Sequence, residues 1–398
     1  MGNSLSVGGR APIHHYTSSK SWIEGNATLQ LEQTASLKGV TAVAAMPDLH
    51  PGKYGPVGCA ILADAIHPGL VGADIGCGMG LFQLDLPSRK LRVDKAADRL
   101  RILGDPWDGA PARAIAEANL PATAFDHSLG TIGGGNHFCE LQAVDQIVDA
   151  QAAADAGLDP DLAVLLVHSG SRGLGYSILE SVLMHGLVAF DPASESGQCY
   201  LAGHDHAVRW AKLNRLTIAQ RAAAALRADQ TCINDLSHNL AEKTPRGILH
   251  RKGAAPSDRG LVPVPGSRGA RSYLVKPLAA DIPETLASIA HGAGRKYERG
   301  SMHGRAGHKR SDRERLARNP FGGVVICEDS NLLIEEAPEA YKSIENVIAD
   351  LVAFKLATVV ATFKPLVTFK STKDSQKENR AKSHDRRTAS KRNQEDFR

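Results

Sequence analysis

The sequence predicts an α+β fold, a single large domain with a mixed β-sheet core flanked by helices. Three observations carry this. Apolar runs of strand length and amphipathic helical stretches succeed one another without strict alternation. Strand-like runs lead into glycine-rich segments, where a backbone turns sharply and comes close to a ligand. The 398 residues, 42% of them apolar, are enough for a sizeable core in one large domain or two of ordinary size. No repeat of solenoid or propeller period is visible.

Along the chain, Ser21 followed by Glu24 resembles a capping box. Ile23, Ala27, Leu31 and Ala35 then recur at i+4, so a first helix is expected to about Lys38, with Gly39 as its stop. Val40 to Met46 reads as a buried strand that delivers Pro47 to Gly52 onto a loop. Pro56 to Asp64 reads as a second strand, ahead of a loop at Asp74 to Gly80. Leu162 to Val167 is an apolar run of strand length that ends at His168. Such strand ends are where α/β proteins often place chemistry. Ala207, Trp210, Ala211, Asn214, Ile218 and Ala222 share one face of a helix expected from His206 to Ala228. Leu261 to Pro265 and Ser272 to Val275 read as short strands, and Gly300 to Pro320 as a polar, exposed loop. Tyr341, Ile344, Val347, Ile348 and Leu351 mark a further helix with Pro338 suited to its first turn. Ala357 to Phe363 reads as a closing strand.

The formal charge of +4 is unevenly spread. From Lys370 to Arg398 there are ten Lys/Arg and five Asp/Glu, a net +5, so the remainder is near −1. This predicts a domain over residues 1–370 and a basic, disordered tail over 371–398. Such a tail is either an arm for a polyanion such as RNA or a solubilising appendage. The six cysteines form no Cys-x-x-Cys and no export signal is seen, which fits a reducing cytosol rather than a disulfide framework. Five are expected as small core residues, with Cys77 set apart by its flanking glycines. No apolar stretch reaches membrane-spanning length, so no membrane partner is expected. Met1 to Ser6 fits the short myristoylation pattern, though an ordinary solvated terminus reads the same way.

Chemistry concentrates in the glycine-rich segments. Asp74 and Cys77 lie in Asp-Ile-Gly-Cys-Gly-Met-Gly, His137 in Gly-Gly-Gly-Asn-His-Phe, His168 in His-Ser-Gly-Ser-Arg-Gly and His238 in Ser-His-Asn. Any one of these alone reads as a structural histidine, a turn cap or a buried thiol. Together they exceed the three protein ligands typical of one catalytic zinc. They suit two ions if one ligand bridges, and a thiolate can bridge. Paired metals are a standard device for phosphoryl chemistry, so a deep dinuclear metal cleft is expected. Carboxylate and imidazole tolerate manganese while thiolate leans toward zinc, which leaves the metal open. His291, in His-Gly-Ala-Gly-Arg, suits a nucleophile that carries a nucleotidyl group, with Gly292 and Gly294 admitting a phosphate. A sixth metal ligand or a plain turn remain alternatives. Arg172, Arg251 and Lys252 are candidate phosphate contacts.

At these motifs the chain resembles the RtcB family of RNA ligases. The matching segments are Met46-Pro-Asp48-Leu-His50, Asp74-Ile-Gly-Cys77-Gly-Met79, Gly133-Gly-Gly-Asn136-His137-Phe138 and His168-Ser-Gly-Ser-Arg172. Further along come Asn214-Arg215, His238-Asn239, His250-Arg-Lys-Gly-Ala254, Pro265-Gly-Ser267, His291-Gly-Ala-Gly-Arg295 and Glu336-Ala-Pro-Glu-Ala-Tyr-Lys342. The resemblance spans about residues 20 to 370. It implies a GTP- and manganese-dependent ligase of RNA repair. Such an enzyme joins ends carrying a 2′,3′-cyclic phosphate or 3′-phosphate to 5′-hydroxyl ends through a histidine–GMP intermediate. Asp74, Cys77, His137, His168 and His238 would hold two Mn2+ ions, with Cys77 bridging. His291 would accept GMP, and Asp48 would serve the RNA end. Asn136, His137, Phe138, Cys139, Glu140, His238, Asn239, Pro265, Gly266, Ser267, Arg268, Ser272, Gly292, Ala293, Gly294 and Lys370 would form the nucleotide site.

The chain departs from the family pattern in three places. Arg268 stands where the family has methionine, the closing Lys-Gly is Lys370-Ser371 with a tail beyond, and Gly300 to Pro320 is unusually basic. Arg268 and the shortened front resemble the branch coupled to release factor H, so a functional link to that factor is implied, and an archease-type activator is left open. Two other readings compete. One is a metal-dependent phosphodiesterase or phosphatase on RNA ends, and the other is an inactive RNA-binding paralogue. Neither needs the His291 motif.

Overall fold

The computed structural model describes residues 10–371 apart from 185, 187 and 308. The Met1–Ser6 pattern and residues 372–398 of the tail lie outside the described residues. The strands, in chain order, are β1 (Ile13–His15), β2 (Val40–His50), β3 (Val57–Ala63), β4 (Gly78–Pro87) and β5 (Phe138–Ile147). They continue with β6 (Leu162–Ser169), β7 (Gln230–Ser237), β8 (Asn239–Thr244), β9 (Gly247–Lys252) and β10 (Ala254–Pro256). The last are β11 (Val262–Pro265), β12 (Ser272–Pro277), β13 (Ser288–Ala290), β14 (Val324–Cys327) and β15 (Ala357–Lys370). The expected α+β class is what the chain forms.

The larger sheet runs β11-β12-β15-β5-β6-β4-β7, with β14 also paired to β15. The smaller runs β1-β2-β3-β9-β8, and β10 and β13 make a separate ladder. The chain passes from the larger to the smaller sheet between Ser237 and Asn239, so His238 is the crossing residue. The 32-residue helix Glu195–Leu226 packs its apolar face on the larger sheet, burying Ala207, Ala211, Ile218 and Ala222. The helix Ile344–Ala353 and the smaller sheet enclose a second core with Met46, Leu249 and Leu351. Among the described residues no helix is long and apolar enough to cross a membrane.

Several expectations on the elements change. The first helix is Gly25–Ala35 and its N-cap, Glu24, makes no side-chain cap. The Ser21 hydroxyl donates to the Asp350 carboxylate instead of capping, so the capping box does not form. Strand β2 continues through the expected loop to His50, past a register shift between Ala45 and His50. The long helix starts at Glu195, where the Ser194 side chain accepts from Gly197 N. The last helix splits: Pro338–Ala340 is a 3-10 turn, and the helix proper begins after a second cap at Ser343. Strand β15 runs seven residues past Phe363, to Lys370. The expected loop over 300–320 contains the helix Arg310–Leu316 and buries Met302, Ala306 and Leu316. Cys59 and Cys139 are buried as expected, but Cys199 and Cys232 are exposed and Cys327 is intermediate; all six thiols are free.

Candidate functional site

Sheet register gathers the metal-ligand candidates. Residue His168 on β6 faces Phe138 across one side and Met79 across the other, and Gly78 pairs with Ser237. The residues just before β4 and β5 and just after β7 are Cys77, His137 and His238. Four adjacent strands therefore end at one place. Cys77 Sγ lies 3.3 Å from His137 Nε2 and 3.1 Å from His168 Nε2. His137 Nε2 is 2.8 Å from Asp74 Oδ2. Two triads result, Asp74–Cys77–His137 and Cys77–His168–His238, with ligand atoms within 4.8 Å of one another in each. Cys77 belongs to both.

The surroundings suit metal ions. Burial, then the neighbouring histidines, holds His168 and His238 well below the usual imidazole range, so both are neutral with lone pairs to give. Burial pushes Asp74 up, but His137 and Cys77 outweigh it and hold the carboxyl below its ordinary value. Burial and then Asp74 push the Cys77 thiol well up, so a cation must displace its proton. Carboxylate, thiolate and neutral imidazole together fit a divalent ion in each triad. At Gly170 a Cβ would fall 2.0 Å from Asp74 Oδ1, so no side chain is tolerated behind that ligand.

The long helix supports these loops from below. The buried Arg215 donates to Gly76 O at 2.7 Å, to Ser169 O at 2.9 Å and to Asp235 at 2.8 Å. Asn214 Nδ2 donates to Thr131 O and Gly170 O. Sequence reasoning noted this pair without reading its role.

His291 follows β13. Its Nδ1–H donates to Asp48 Oδ2 at 2.6 Å, and its backbone N–H donates to the same oxygen at 3.1 Å. With Nδ1 held on Asp48, Nε2 is the ring nitrogen left to meet a reactant. Asp48, the expected RNA-end residue, is fully buried against His291 and is absent from the cavity wall. Lys342 Nζ donates to Pro47 O at 3.1 Å and Leu49 O at 2.5 Å, bracing the strand on either side of Asp48. Gly294, at φ +70°, must be glycine here, because a Cβ would fall 2.2 Å from Asp48 O.

Beside the metal triads and His291 opens a cavity of about 610 Å3. Its wall includes Asn136, Phe138, Glu140, Asn239, Pro265, Gly266, Ser267, Arg268, Gly292, Ala293, Gly294 and Lys370, residues that the family resemblance assigns to the nucleotide. Ala293 N donates to Pro265 O, which ties the two glycine segments together. Burial raises Glu140 to about 7, against hydrogen bonds from Thr368 and Gln142. Lys370 Nζ donates to His137 O at 2.9 Å.

Of the expected contacts, His137, Cys139, Ser272, Arg251, Lys252 and Arg172 are, like Asp48, not on this wall. Cys139 alternates inward from Phe138 and Glu140 and packs in the sheet core. Ser272 is buried, its Oγ accepting from Gln142. Arg251 is buried on Glu242, Ser288 and Ala287 O, away from the cavity. Lys252 is buried with Nζ on Gly69 O at 3.2 Å, and burial lowers it to about 8. Arg172 donates to Thr131 Oγ1 and lends its charge to Asp74.

Sequence reasoning missed Glu336, Arg299 and Tyr341 as site residues, although the Glu336–Lys342 motif was visible. Glu336 lines the cavity and accepts from Arg295 and Arg299. Burial would raise its carboxyl, but Lys370, Arg295 and Arg299 outweigh it and bring it to about 2. Its stabilising contribution is full above the ordinary 4.5 and is lost as pH falls from 4.5 through 2. That gap corresponds to about 3 kcal/mol. Denaturant unfolding should find Glu336→Gln less stable than wild type at neutral pH, with the deficit shrinking toward pH 2. A deficit that stays constant over that range would refute the ion-pair account.

Known proteins share this arrangement of sequence. A family model described as tRNA-splicing ligase RtcB matches residues 30–104 and 107–371. The protein named RNA-splicing ligase RtcB2 of Escherichia coli is 46% identical over 363 residues, covering 88% of this chain and 93% of that protein. The tRNA-splicing ligase RtcB of Archaeoglobus fulgidus is 29% identical over 465 residues, covering 91% of this chain and 95% of that one. The RNA-splicing ligase RtcB of Mycobacterium tuberculosis is 29% identical over 433 residues, covering 85% and 99%.

Proposed function

The chain belongs to the RtcB ligase family, and from that premise we propose that it is a GTP- and manganese-dependent RNA ligase. It joins 3′-phosphate or 2′,3′-cyclic phosphate ends to 5′-hydroxyl ends in RNA repair. The observation that carries this reading is the Asp48–His291 pair set at the cavity wall beside the two metal-capable triads. Neither a phosphodiesterase nor a binding paralogue needs a nucleotidyl acceptor, which an imidazole held with Nε2 available supplies.

His291 Nε2 attacks the α-phosphorus of GTP; the N–P bond forms as the bond to diphosphate breaks. Asp48 holds Nδ1–H, keeps the ring oriented and stabilises positive charge that develops on it. When bound, two manganese ions supply positive charge to the transferring phosphoryl groups and orient their oxygens. Asp74, Cys77, His137, His168 and His238 would hold them. Glu140 and Lys370 present an acceptor and a donor to the base, which matches guanine, and Arg268 adds a second cation to that wall. Arg268 also supports reading the chain with the release factor H-coupled branch, and an archease-type activator and a cytoplasmic location go with the same reading.

Incubating the protein with α-labelled GTP and manganese tests this. An acid-labile, labelled protein adduct is expected, followed by joining of RNA carrying the stated ends. No adduct under any divalent metal would sink the ligase reading in favour of end hydrolysis.

The domain is proposed to end at Lys370, the last residue of β15. Deletion after Ser371 retains the Lys370–His137 hydrogen bond and should leave adduct formation within about twofold, because the polar, basic sequence beyond has no core to build. If the tail binds RNA, truncation should flatten the salt dependence of RNA affinity by roughly 0.7 per lost phosphate contact. Loss of the adduct on truncation would move the domain boundary into the tail.

A further inference from the structure

Glu336 belongs to the motif that the ligase chemistry leaves without a role. Its side chain is 1% exposed. Arg295 Nη1 donates to Oε1 at 3.0 Å and Arg299 Nε donates to the same oxygen at 3.2 Å. Lys370 Nζ lies 3.7 Å from Oε2, and the Tyr341 hydroxyl donates to that oxygen. These partners come from three separate stretches: the segment after His291, the end of β15, and the turn that follows Glu336 itself. Glu336 and all four partners line the cavity.

The charges explain why one carboxylate is placed there. Three cations brought together in a low-dielectric wall repel one another. Without a buried anion they would turn toward water and away from the cavity. One carboxylate holds them without neutralising them, so a positive surplus still faces an anionic ligand. Two of the cations also keep a second tie. Lys370 is fixed on His137 O, and Arg295 donates to Glu335 O and Tyr297 O. Lys370 stands near the Phe138 ring, at 5.9 Å, on the side of the cavity with Glu140. Arg295 and Arg299 stand with Lys296 and Tyr297 on another stretch of wall, where guanidinium forks suit phosphate oxygens.

We propose that Glu336 is a positioning residue shared by both substrates, holding Lys370 for the guanine nucleotide and Arg295 with Arg299 for the phosphates of the RNA end. One buried carboxylate thus sets the two binding halves in register with each other. The proposal rests on the ligase reading above.

The test uses the full chain loaded with manganese, as wild type, Glu336→Gln and Glu336→Asp. One probe is the GTP analogue with a methylene between the α- and β-phosphorus, which cannot transfer GMP. The other is a short single-stranded RNA with a 3′-phosphate. Glu336→Gln should weaken both affinities by roughly tenfold or more, as expected when a charge-assisted contact is lost on each side. Metal content should stay near wild type. Glu336→Asp, with the charge kept one methylene short, should weaken both by less, and it serves if the glutamine variant does not fold. Adding Lys370→Met to Glu336→Gln should cost less nucleotide affinity than adding it to wild type. A fall in only one affinity, in neither, or in metal content alongside them overturns the proposal. If wild type itself binds neither probe, the ligase reading fails and takes this inference with it.

Discussion

Replacing Cys77 with alanine is expected to cost the protein both metal ions and the nucleotide adduct while leaving the fold intact. Cys77 is the ligand common to the two triads, with Sγ within 3.3 Å of both His137 and His168. Removing it disturbs both ions at once, whereas His168→Ala belongs to one triad and should spare the other. Bound metals contribute several kcal/mol of transition-state charge stabilisation, so adduct formation should fall by about 1000-fold or more. The turn itself should survive, because it is held by backbone bonds: Cys77 N to Asp74 O, and His238 N to Cys77 O. Cys59→Ala, which removes a buried thiol from the smaller sheet, is the matching control. In the wild type the protonated thiol must give up its proton to a metal, so uptake should release protons and tighten as pH rises. Elemental analysis alongside thermal unfolding reads the outcome. Two ions per chain and normal labelling in Cys77→Ala would end the bridging assignment.

The metal-ligand candidates were legible in sequence because each sits in a glycine-rich turn next to a strand, and both signals are local. Their convergence was not, because it depends on the pairing of β4, β5, β6 and β7, which spans residues 78 to 237. Strand interiors were read well wherever apolar runs were continuous, as in β3 and β6. Strand ends were missed where polar residues close the strand. His50 and Lys370 look like loop residues, but β2 and β15 carry them to the site. The phosphate candidates lie off the cavity wall for a different reason. Arg251 and Lys252 sit on one strand, where side chains alternate faces, and partners distant in sequence already occupy both. No local pattern distinguishes an arginine paired with Glu242 from one waiting for phosphate. Glu336 was invisible as a hub because three of its four partners lie on other segments or are separated from it by about thirty residues or more.

His291→Ala should bind metal as wild type does and form no adduct, because no other group at that position offers a nitrogen to the α-phosphorus. Asp48 sharpens this assignment. Both donors, the ring Nδ1–H and the backbone N–H of His291, converge on one oxygen, Oδ2. The other oxygen, Oδ1, is buried without a partner. An asparagine fits with its carbonyl oxygen on the two donors and its amide group at the empty position. The tautomer of His291 is then preserved and only the negative charge is lost. Exchanging a charge-assisted hydrogen bond for a neutral one costs about 1–2 kcal/mol, so Asp48→Asn should slow adduct formation roughly tenfold. Asp48→Ala loses the orientation too and should slow it on the order of 1000-fold, near the loss seen when the orienting carboxylate of a catalytic histidine is disabled. Affinity for the non-transferable GTP analogue should barely change in either variant, since Asp48 is not on the cavity wall. Rapid-quench measurement of the labelled adduct, with peptide mapping of its position, distinguishes the outcomes. Equal loss in the asparagine and alanine variants would mean that charge, not orientation, is what Asp48 supplies. A label found on a lysine would remove His291 from the nucleotidyl step altogether.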